Sequence, residues 1–188
     1  MPDRHALEEL ADAVLGELAA SHTVDIDGLG VFYPDPERGF RFRAHTKPRV
    51  FLAYVVEDLD LANRLYDLLA HAGFSPWMDT RKLLAGQNWP RAIELAIESA
   101  DLVVACFSSR SVDKRGGFQA EIRYALDCAR RVPLDDIFLV PVRFDACRVP
   151  RSIRREWQYI DLFPDWSAGF GRLASAIRQE MRRRQAGS

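Results

Sequence analysis

The sequence of 188 residues lacks several features that would restrict its function at once. No run of about 18 apolar residues occurs, so no membrane-spanning helix is predicted. The start, "MPDRHALEEL", has no basic segment followed by an apolar run, which argues against export. Only three cysteines are present and none has Cys-x-x-Cys spacing, which favours a reducing cytoplasm over a disulfide-stabilised fold.

The sequence also lacks the short motifs of several common enzyme classes. No G-x-G-x-x-G segment opens a helix after a predicted strand, and neither G-x-x-x-x-G-K-[ST] nor G-x-S-x-G occurs. The four histidines are scattered and none lies at ligand spacing from a cysteine. We therefore expect no resident metal ion, no cysteine nucleophile and no Rossmann, P-loop or α/β-hydrolase site.

The composition, 48% hydrophobic and 28% charged, is that of a globular protein with one domain and a small appendage. The net charge of −1 hides an uneven distribution, because residues 1–48 carry nine acidic and five basic residues. Residues 147–188 carry nine basic and four acidic residues, most visibly in "MRRRQ". We interpret this tail as a helix end whose arginines suit the negative end of the helix dipole, and we do not expect nucleic-acid binding.

From residue 49 onward, β-rich apolar runs alternate with helical patterns, which predicts a parallel sheet with helices on both faces. The third and fourth runs are almost wholly apolar and are expected at the centre of the sheet. The second contains Pro76 and is expected at an edge. The predicted strands are 49–55, 74–79, 102–108, 137–144 and 159–163. The predicted helices are 57–73, 88–100, 117–131 and 170–181.

Residues 1–48 predict a separate small element, made of one helix and a β-hairpin around the turn signal "PDPERG". Through its helix and "VDIDGLGVF" the segment resembles the start of an HU-type DNA-binding fold. It lacks a long basic arm, and its excess of acidic residues opposes phosphate binding. We therefore expect a docking, regulatory or assembly element that contacts a partner or sensor protein.

Ligands of open parallel sheets bind beyond the carboxyl ends of the strands, and two long polar loops are predicted there, "DTRKLLAGQNW" and "SSRSVDKRGGFQAE". Glu121 follows the second of these loops, in the first turn of the next helix and at the border of its apolar stripe. A half-buried carboxylate at this position would have a raised pKa and could act on a ligand. In the alternative interpretation, Glu121 only complements the positive dipole at the start of the helix.

Residues 49–180 resemble a Toll/interleukin-1 receptor (TIR) domain of the bacterial type. The resemblance rests on the first strand with Tyr54, the acidic turn Glu57-Asp58, the strand that ends Trp77-Met78-Asp79, and the segments "AIESAD", "VVACFS", "FQAEIRYALD", "DDIFLVPVRFDACRVP" and "YIDLF". Leu84, Gly86 and Trp89 match the loop between the second strand and the next helix. A TIR domain over 49–184 implies a flavodoxin-like α/β fold with five parallel strands and a helix-hairpin appendage at 1–48.

The resemblance also implies an activity. Many bacterial TIR domains cleave the bond between nicotinamide and ribose in NAD⁺, which is their substrate and not a resident cofactor, and they are activated by self-assembly in antiphage defence. The essential acid of these enzymes corresponds to Glu121. Substrate-binding residues are then expected at Tyr54, Lys82, Trp89, Ser108 and Phe118.

One position departs from the family pattern. Many catalytic TIR domains carry Trp four residues before the Glu, whereas this chain has Gly117 there and Phe118 next to it. Either Phe118 supplies the aromatic wall, or turnover is slow in the absence of a partner. Two alternatives remain open: a non-catalytic scaffold that acts through TIR–TIR contacts, and a receptor for a nucleotide signal made elsewhere.

Overall fold

The computed structural model describes residues 4–26, 30–44, 47–82, 88–112, 117–133 and 136–186. The chain divides into two compact units, Met1–Lys47 and Pro48–Ser188. No helix in the described ranges has both the length and the apolar character needed to cross a bilayer.

The described residues of the first unit form one helix and a three-stranded antiparallel sheet in the order β1-β2-β3. Its elements are α1 (Arg4–Ala19), β1 (Val24–Ile26), β2 (Gly30–Asp35) and β3 (Gly39–Ala44). The predicted hairpin is β2–β3, and its turn is closed by Asp35 Oδ1, which accepts hydrogen bonds from the backbone N–H groups of Glu37 and Arg38. Only a two-stranded hairpin is predicted from the sequence, so the division of its first alternating run into β1 and β2 is not predicted.

The second unit contains the predicted five-stranded parallel sheet, in the order β5-β4-β6-β7-β8. The strands are β4 (Arg49–Ala53), β5 (Ser75–Trp77), β6 (Leu102–Phe107), β7 (Leu139–Arg143) and β8 (Ile160–Asp161). All six residues of β6 are buried, as expected for a central strand. Strand β5 lies at an edge, which confirms the prediction made from Pro76.

Helices cover the sheet on both faces, as predicted. A 3-10 turn (Val56–Asp58) leads into α2, and the helices are α2 (Leu59–His71), α3 (Asp79–Lys82), α4 (Trp89–Ser99), α5 (Gly117–Ala129), α6 (Arg151–Glu156) and α7 (Trp166–Ala186). Helix α4 is capped by Asn88, whose side chain accepts from the backbone N–H of Arg91 at 3.2 Å. The sequence does not predict helices α3 and α6, because they are too short for a recognisable period.

The alternation of side chains along β4 and β6 divides the core into two layers. Leu52 and Val104 pack with α2 and α7, whereas Ala53 and Ala105 pack with α4, α5 and α6. Because the strands are parallel, helices α4 and α5, which follow β5 and β6, both begin at the edge of the sheet where these strands end. This places the starts of two neighbouring helices next to the expected ligand-binding edge.

Candidate functional site

Glu121 lines a cavity of about 360 Å³ between α4 and α5. It is the fifth residue of α5, and it shares one face of that helix with Gly117, Ala120 and Tyr124, which also line the cavity. The opposite wall is one face of α4 and consists of Trp89, Pro90, Ile93, Glu94 and Ile97. The cavity is therefore a groove between two parallel helices, with most of its surface apolar.

The pKa of the Glu121 carboxyl group is unusually high. Burial raises its pKa to about 8, and the negative charge of Asp79 adds to the effect. The side chain is nevertheless half-buried and not sealed in the core. A group with these properties can exchange its proton near neutral pH and can respond to a charged ligand in the cavity.

Asp79 is positioned by Tyr54. The Tyr54 hydroxyl donates a hydrogen bond of 2.6 Å to Asp79 Oδ1 and lies 3.1 Å from Thr80 Oγ1. Burial raises the pKa of Tyr54, and the Asp79 hydrogen bond and the charge of Glu121 raise it further. Tyr54, Asp79 and Glu121 are thus electrostatically coupled at the carboxyl ends of β4 and β5.

Sequence reasoning did not identify Asp79 as a site residue. The signal that could have found it is its position two residues after the end of the second strand, at the edge of the sheet where Tyr54 also lies. Sequence alone could not show that these side chains are in contact.

Trp89 and Gly117 lie at the starts of the two helices that form the groove. The Trp89 side chain is 55% exposed, so its ring is available to a ligand. A Cβ atom built on Gly117 would meet no heavy atom of the described residues within 4 Å, so the position is open. Where many catalytic TIR-like sequences carry a Trp side chain, this chain therefore has open space next to Gly117.

Of the five predicted binding residues, Trp89 lines the described cavity, whereas Tyr54, Lys82, Ser108 and Phe118 do not. Phe118 is 7% exposed and packs edge-on against Phe107, with ring centroids 5.7 Å apart. Ser108 is buried and its hydroxyl donates to Asp58 Oδ2. Lys82 is exposed at the end of α3. Leu84 and Gly86, which carried part of the resemblance, lie outside the described residues.

The chemistry available at this site is electrostatic. Within the described ranges, no group of three or more His, Cys, Asp or Glu side chains is placed to hold a metal ion. The three cysteines are buried and free, and burial raises the thiol pKa of Cys147 to about 11. A half-buried carboxylate beside an apolar groove can stabilise a positive charge that develops on a ligand.

Residues 50–174 match the protein-family model of the TIR domain. The chain belongs to the TIR domain family. This confirms the family predicted from the motifs of the sequence. No curated protein sequence matches the chain.

Solved TIR structures share the fold at low sequence identity. The TIR domain of the Toll-related receptor TRR-2 from Hydra magnipapillata is 23% identical with a TM-score of 0.56, over 69% of this chain and 97% of that one. A metazoan TIR-STING receptor from C. gigas, in complex with 2′,3′-cGAMP, is 21% identical with a TM-score of 0.58. That match covers 68% of this chain and only 38% of the receptor.

A third relative is the set of TIR domains in the activated Roq1 resistosome, which directly recognises the pathogen effector XopQ. It is 16% identical with a TM-score of 0.53, over 72% of this chain and 99% of that one. At these identities the likeness shows the fold alone.

Proposed function

We propose that the protein is a TIR-domain NAD⁺ nucleosidase that breaks the bond between nicotinamide and ribose. The observation that carries the proposal is the position of Glu121, half-buried at a cavity of about 360 Å³ between α4 and α5. A volume of this order suits one half of a dinucleotide, because pockets for drug-sized ligands span about 300–1,000 Å³. We place the nicotinamide riboside half in the groove.

The reaction requires little from the protein besides a well-placed negative charge. When the bond from ribose C1′ to the pyridinium nitrogen breaks, its electron pair stays with the nitrogen and neutral nicotinamide leaves without needing a proton. Positive charge then develops on the ribose, and the Glu121 carboxylate stabilises it. Water adds to C1′ and loses a proton, which gives ADP-ribose; attack by the adenine of the same molecule would give the cyclised product instead.

The raised pKa of Glu121 is compatible with this role. At neutral pH a free carboxyl group with a pKa of about 8 is mostly protonated. A pyridinium cation in the groove favours the ionised form and lowers this pKa, so the substrate itself promotes the charge that the reaction needs. The carboxylate is then formed where and when the ribose requires it.

Binding and assembly involve further residues. Trp89 offers its exposed ring to the substrate, and Tyr54 holds Asp79 near the reacting carboxylate. Lys82, Ser108 and Phe118 stay predictions as substrate-binding residues. We further propose activation through TIR–TIR contacts, in line with the TIR domains of the Roq1 resistosome, with residues 1–47 as the docking element for a partner or sensor. We also propose that the protein acts in the cytoplasm, in bacterial defence against phage.

The test is to incubate the purified full chain with NAD⁺ at increasing protein concentrations and to measure nicotinamide release by chromatography. Glu121→Gln should reduce the rate by about 100-fold or more while the fold is kept. Asp127→Asn is the matched control, because Asp127 is an exposed acid on the same helix that does not line the described cavity. No release at any concentration, with or without candidate triggers, would favour the non-catalytic scaffold.

A further inference from the structure

Both ionic side chains in the described lining of the groove between α4 and α5 are acidic. Its described lining contains two carboxylates, Glu94 on α4 and Glu121 on α5, and no basic side chain. Glu94 is half-buried, as is Glu121. An apolar groove with an acidic side chain on each wall disfavours phosphate and favours a cation, and a bound cation in turn favours the ionised form of Glu121.

The aromatic side chains of the groove favour a flat cation. Trp89 stands at its start with an exposed ring, and Trp is the aromatic side chain that binds cations best. Tyr124 lies further along the groove and its hydroxyl donates to Glu98. That contact keeps the phenol in one orientation, so the groove offers two aromatic surfaces and two carboxylates to one ligand.

Glu94 forms an ion pair with Arg91 that partly neutralises its negative charge. Arg91 Nη1 lies 3.1 Å from Glu94 Oε2, and the Arg91 side chain is 56% exposed. An exposed ion pair one helical turn apart is weak, so a cation held in the groove can compete with Arg91 for the carboxylate. Because the pKa of Glu121 is raised to about 8, Glu94 provides most of the negative charge that an approaching cation meets at neutral pH.

We propose that Glu94 is a specificity-determining residue, and that together with Trp89 and Glu121 it makes the groove a site for flat heteroaromatic cations, even for those that carry no phosphate. The inference rests on the proposed function in that it concerns the same cavity and specifies the part of the substrate that is recognised. It follows that NAD⁺ binds more tightly than NADH, because the nicotinamide ring of NADH carries no positive charge. It also follows that small N-alkylpyridinium compounds compete with NAD⁺.

The test measures binding and does not depend on turnover. The full chain is titrated with 1-methylnicotinamide, a pyridinium cation, and in parallel with nicotinamide, which has the same ring and carboxamide without the charge. Ligand-observed NMR at neutral pH gives both affinities. We expect the cation to bind at least about threefold more tightly, the size of one partly screened charge contact.

Two variants should move the affinity for the cation in opposite directions. Glu94→Gln should weaken it by about three- to tenfold, and Arg91→Ala, which releases Glu94, should tighten it by about two- to threefold. Asp127→Asn removes one negative charge outside the described lining and should leave the affinity unchanged. Thermal unfolding and circular dichroism establish that each variant is folded.

The outcomes separate this inference from the proposed function. Equal affinities for the cation and neutral nicotinamide, or equal losses in Glu94→Gln and Asp127→Asn, would overturn the cation site even where NAD⁺ is cleaved. Glu94-dependent binding of the cation without any nicotinamide release would support the site and count against the nucleosidase.

Discussion

The Tyr54 hydroxyl donates to Asp79 Oδ1 at 2.6 Å, and the Asp79 carboxylate held in this way contributes to the raised pKa of Glu121. Tyr54 directly follows the first strand of the parallel sheet and Asp79 follows the second, so a contact between two neighbouring strand ends changes the pKa of a group on the helix after a third strand. The pKa of Glu121 is therefore raised mainly by its burial and further by a carboxylate that a neighbouring strand end holds in place.

Asp79→Asn should lower the pKa of Glu121 below its value of about 8, because it removes a nearby negative charge and keeps an oxygen that Tyr54 can donate to. Since the ionised form is the active one, the rise of kcat/KM with pH should then occur at lower pH. The profile is measured as nicotinamide release between about pH 6 and about pH 9.5. Tyr54→Phe keeps the Asp79 charge and serves as the control with a smaller change of midpoint. Identical midpoints in wild type and Asp79→Asn would contradict the coupling.

Glu121→Gln should stabilise the fold in alkaline but not in acidic solution. The pKa of Glu121 is raised from 4.5 to about 8 on folding, so between these values the folded chain keeps a proton that the unfolded chain releases. The contribution of Glu121 is fully present below the unfolded pKa and is lost as the pH rises through about 8. A difference of one pH unit between the folded and unfolded pKa values corresponds to about 1.4 kcal/mol, and each kcal/mol to about 2–4 °C in Tm for a chain of this size.

Thermal unfolding of wild type and Glu121→Gln across this pH range provides the measurement. The Tm difference should be near zero around pH 4.5 and should grow towards pH 8. Asp127→Asn, which changes an exposed acid on the same helix, should show no such growth. A constant difference at every pH would mean that Glu121 titrates normally.

Much of the fold follows from local pattern, whereas the site depends on contacts that no pattern contains. The runs at 102–108 and 137–144 predict β6 and β7 because strands buried on both faces must be continuously apolar. The position of Glu121 is predictable because a helical period places it beside the buried stripe. The proposed role of Glu94 is not predictable from the sequence, since nothing distinguishes it from an ordinary surface residue of a helix until α4 and α5 are placed side by side.

Ser108 shows why a motif position does not define a role. Its place after the third strand predicts a position beside the substrate, yet its hydroxyl faces Asp58, a buried carboxylate at the end of the 3-10 turn. A sequence indicates the end of a strand but not the direction in which the last side chain points. Direct contact between Ser108 and NAD⁺ stays a prediction that KM measurements can test.

Ser108→Ala should destabilise the fold by about 1–3 kcal/mol, because it leaves a buried carboxylate oxygen without its donor. Asp58 is 1% exposed, and its other oxygen, Oδ1, accepts no hydrogen bond within the described residues and has only an ion-pair contact of 3.5 Å with Arg110 Nη1. The control is Ser109→Ala, which also removes a serine hydroxyl that donates to an aspartate. In this variant Asp145 would keep the hydrogen bond from the backbone N–H of residue 109, which is 2.9 Å long in the wild type. Chemical denaturation compares the two variants. Equal losses of stability would show that the Ser108 hydroxyl has no special role.

Gly117→Trp should be tolerated by the fold and should increase nicotinamide release. No heavy atom of the described residues lies within 4 Å of a Cβ at position 117, and the new ring would line the groove that holds Glu121. It would add a stacking surface for the substrate base opposite Trp89. The measurement is kcat/KM for NAD⁺ together with Tm, and Gly117→Ala controls for the loss of glycine alone. A folded Gly117→Trp variant with a lower rate would show that the open space is needed by the substrate.

Two glycines in the last helix should differ in what an added methyl group does to stability. Gly169 is buried in α7, where an added Cβ would lie 2.5 Å from the Asp161 carbonyl oxygen and 2.7 Å from Leu162 Cα. Both are backbone atoms of the last strand region, so the helix must move away from the sheet, and we expect Gly169→Ala to cost about 2–4 kcal/mol. Gly171, two residues later in α7, has open space around its Cβ position. Gly171→Ala should therefore stabilise the fold by about 0.5–1 kcal/mol through helix propensity. Denaturation midpoints of the two variants should move in opposite directions, and a change of the same sign in both would refute the close packing of α7 on β8.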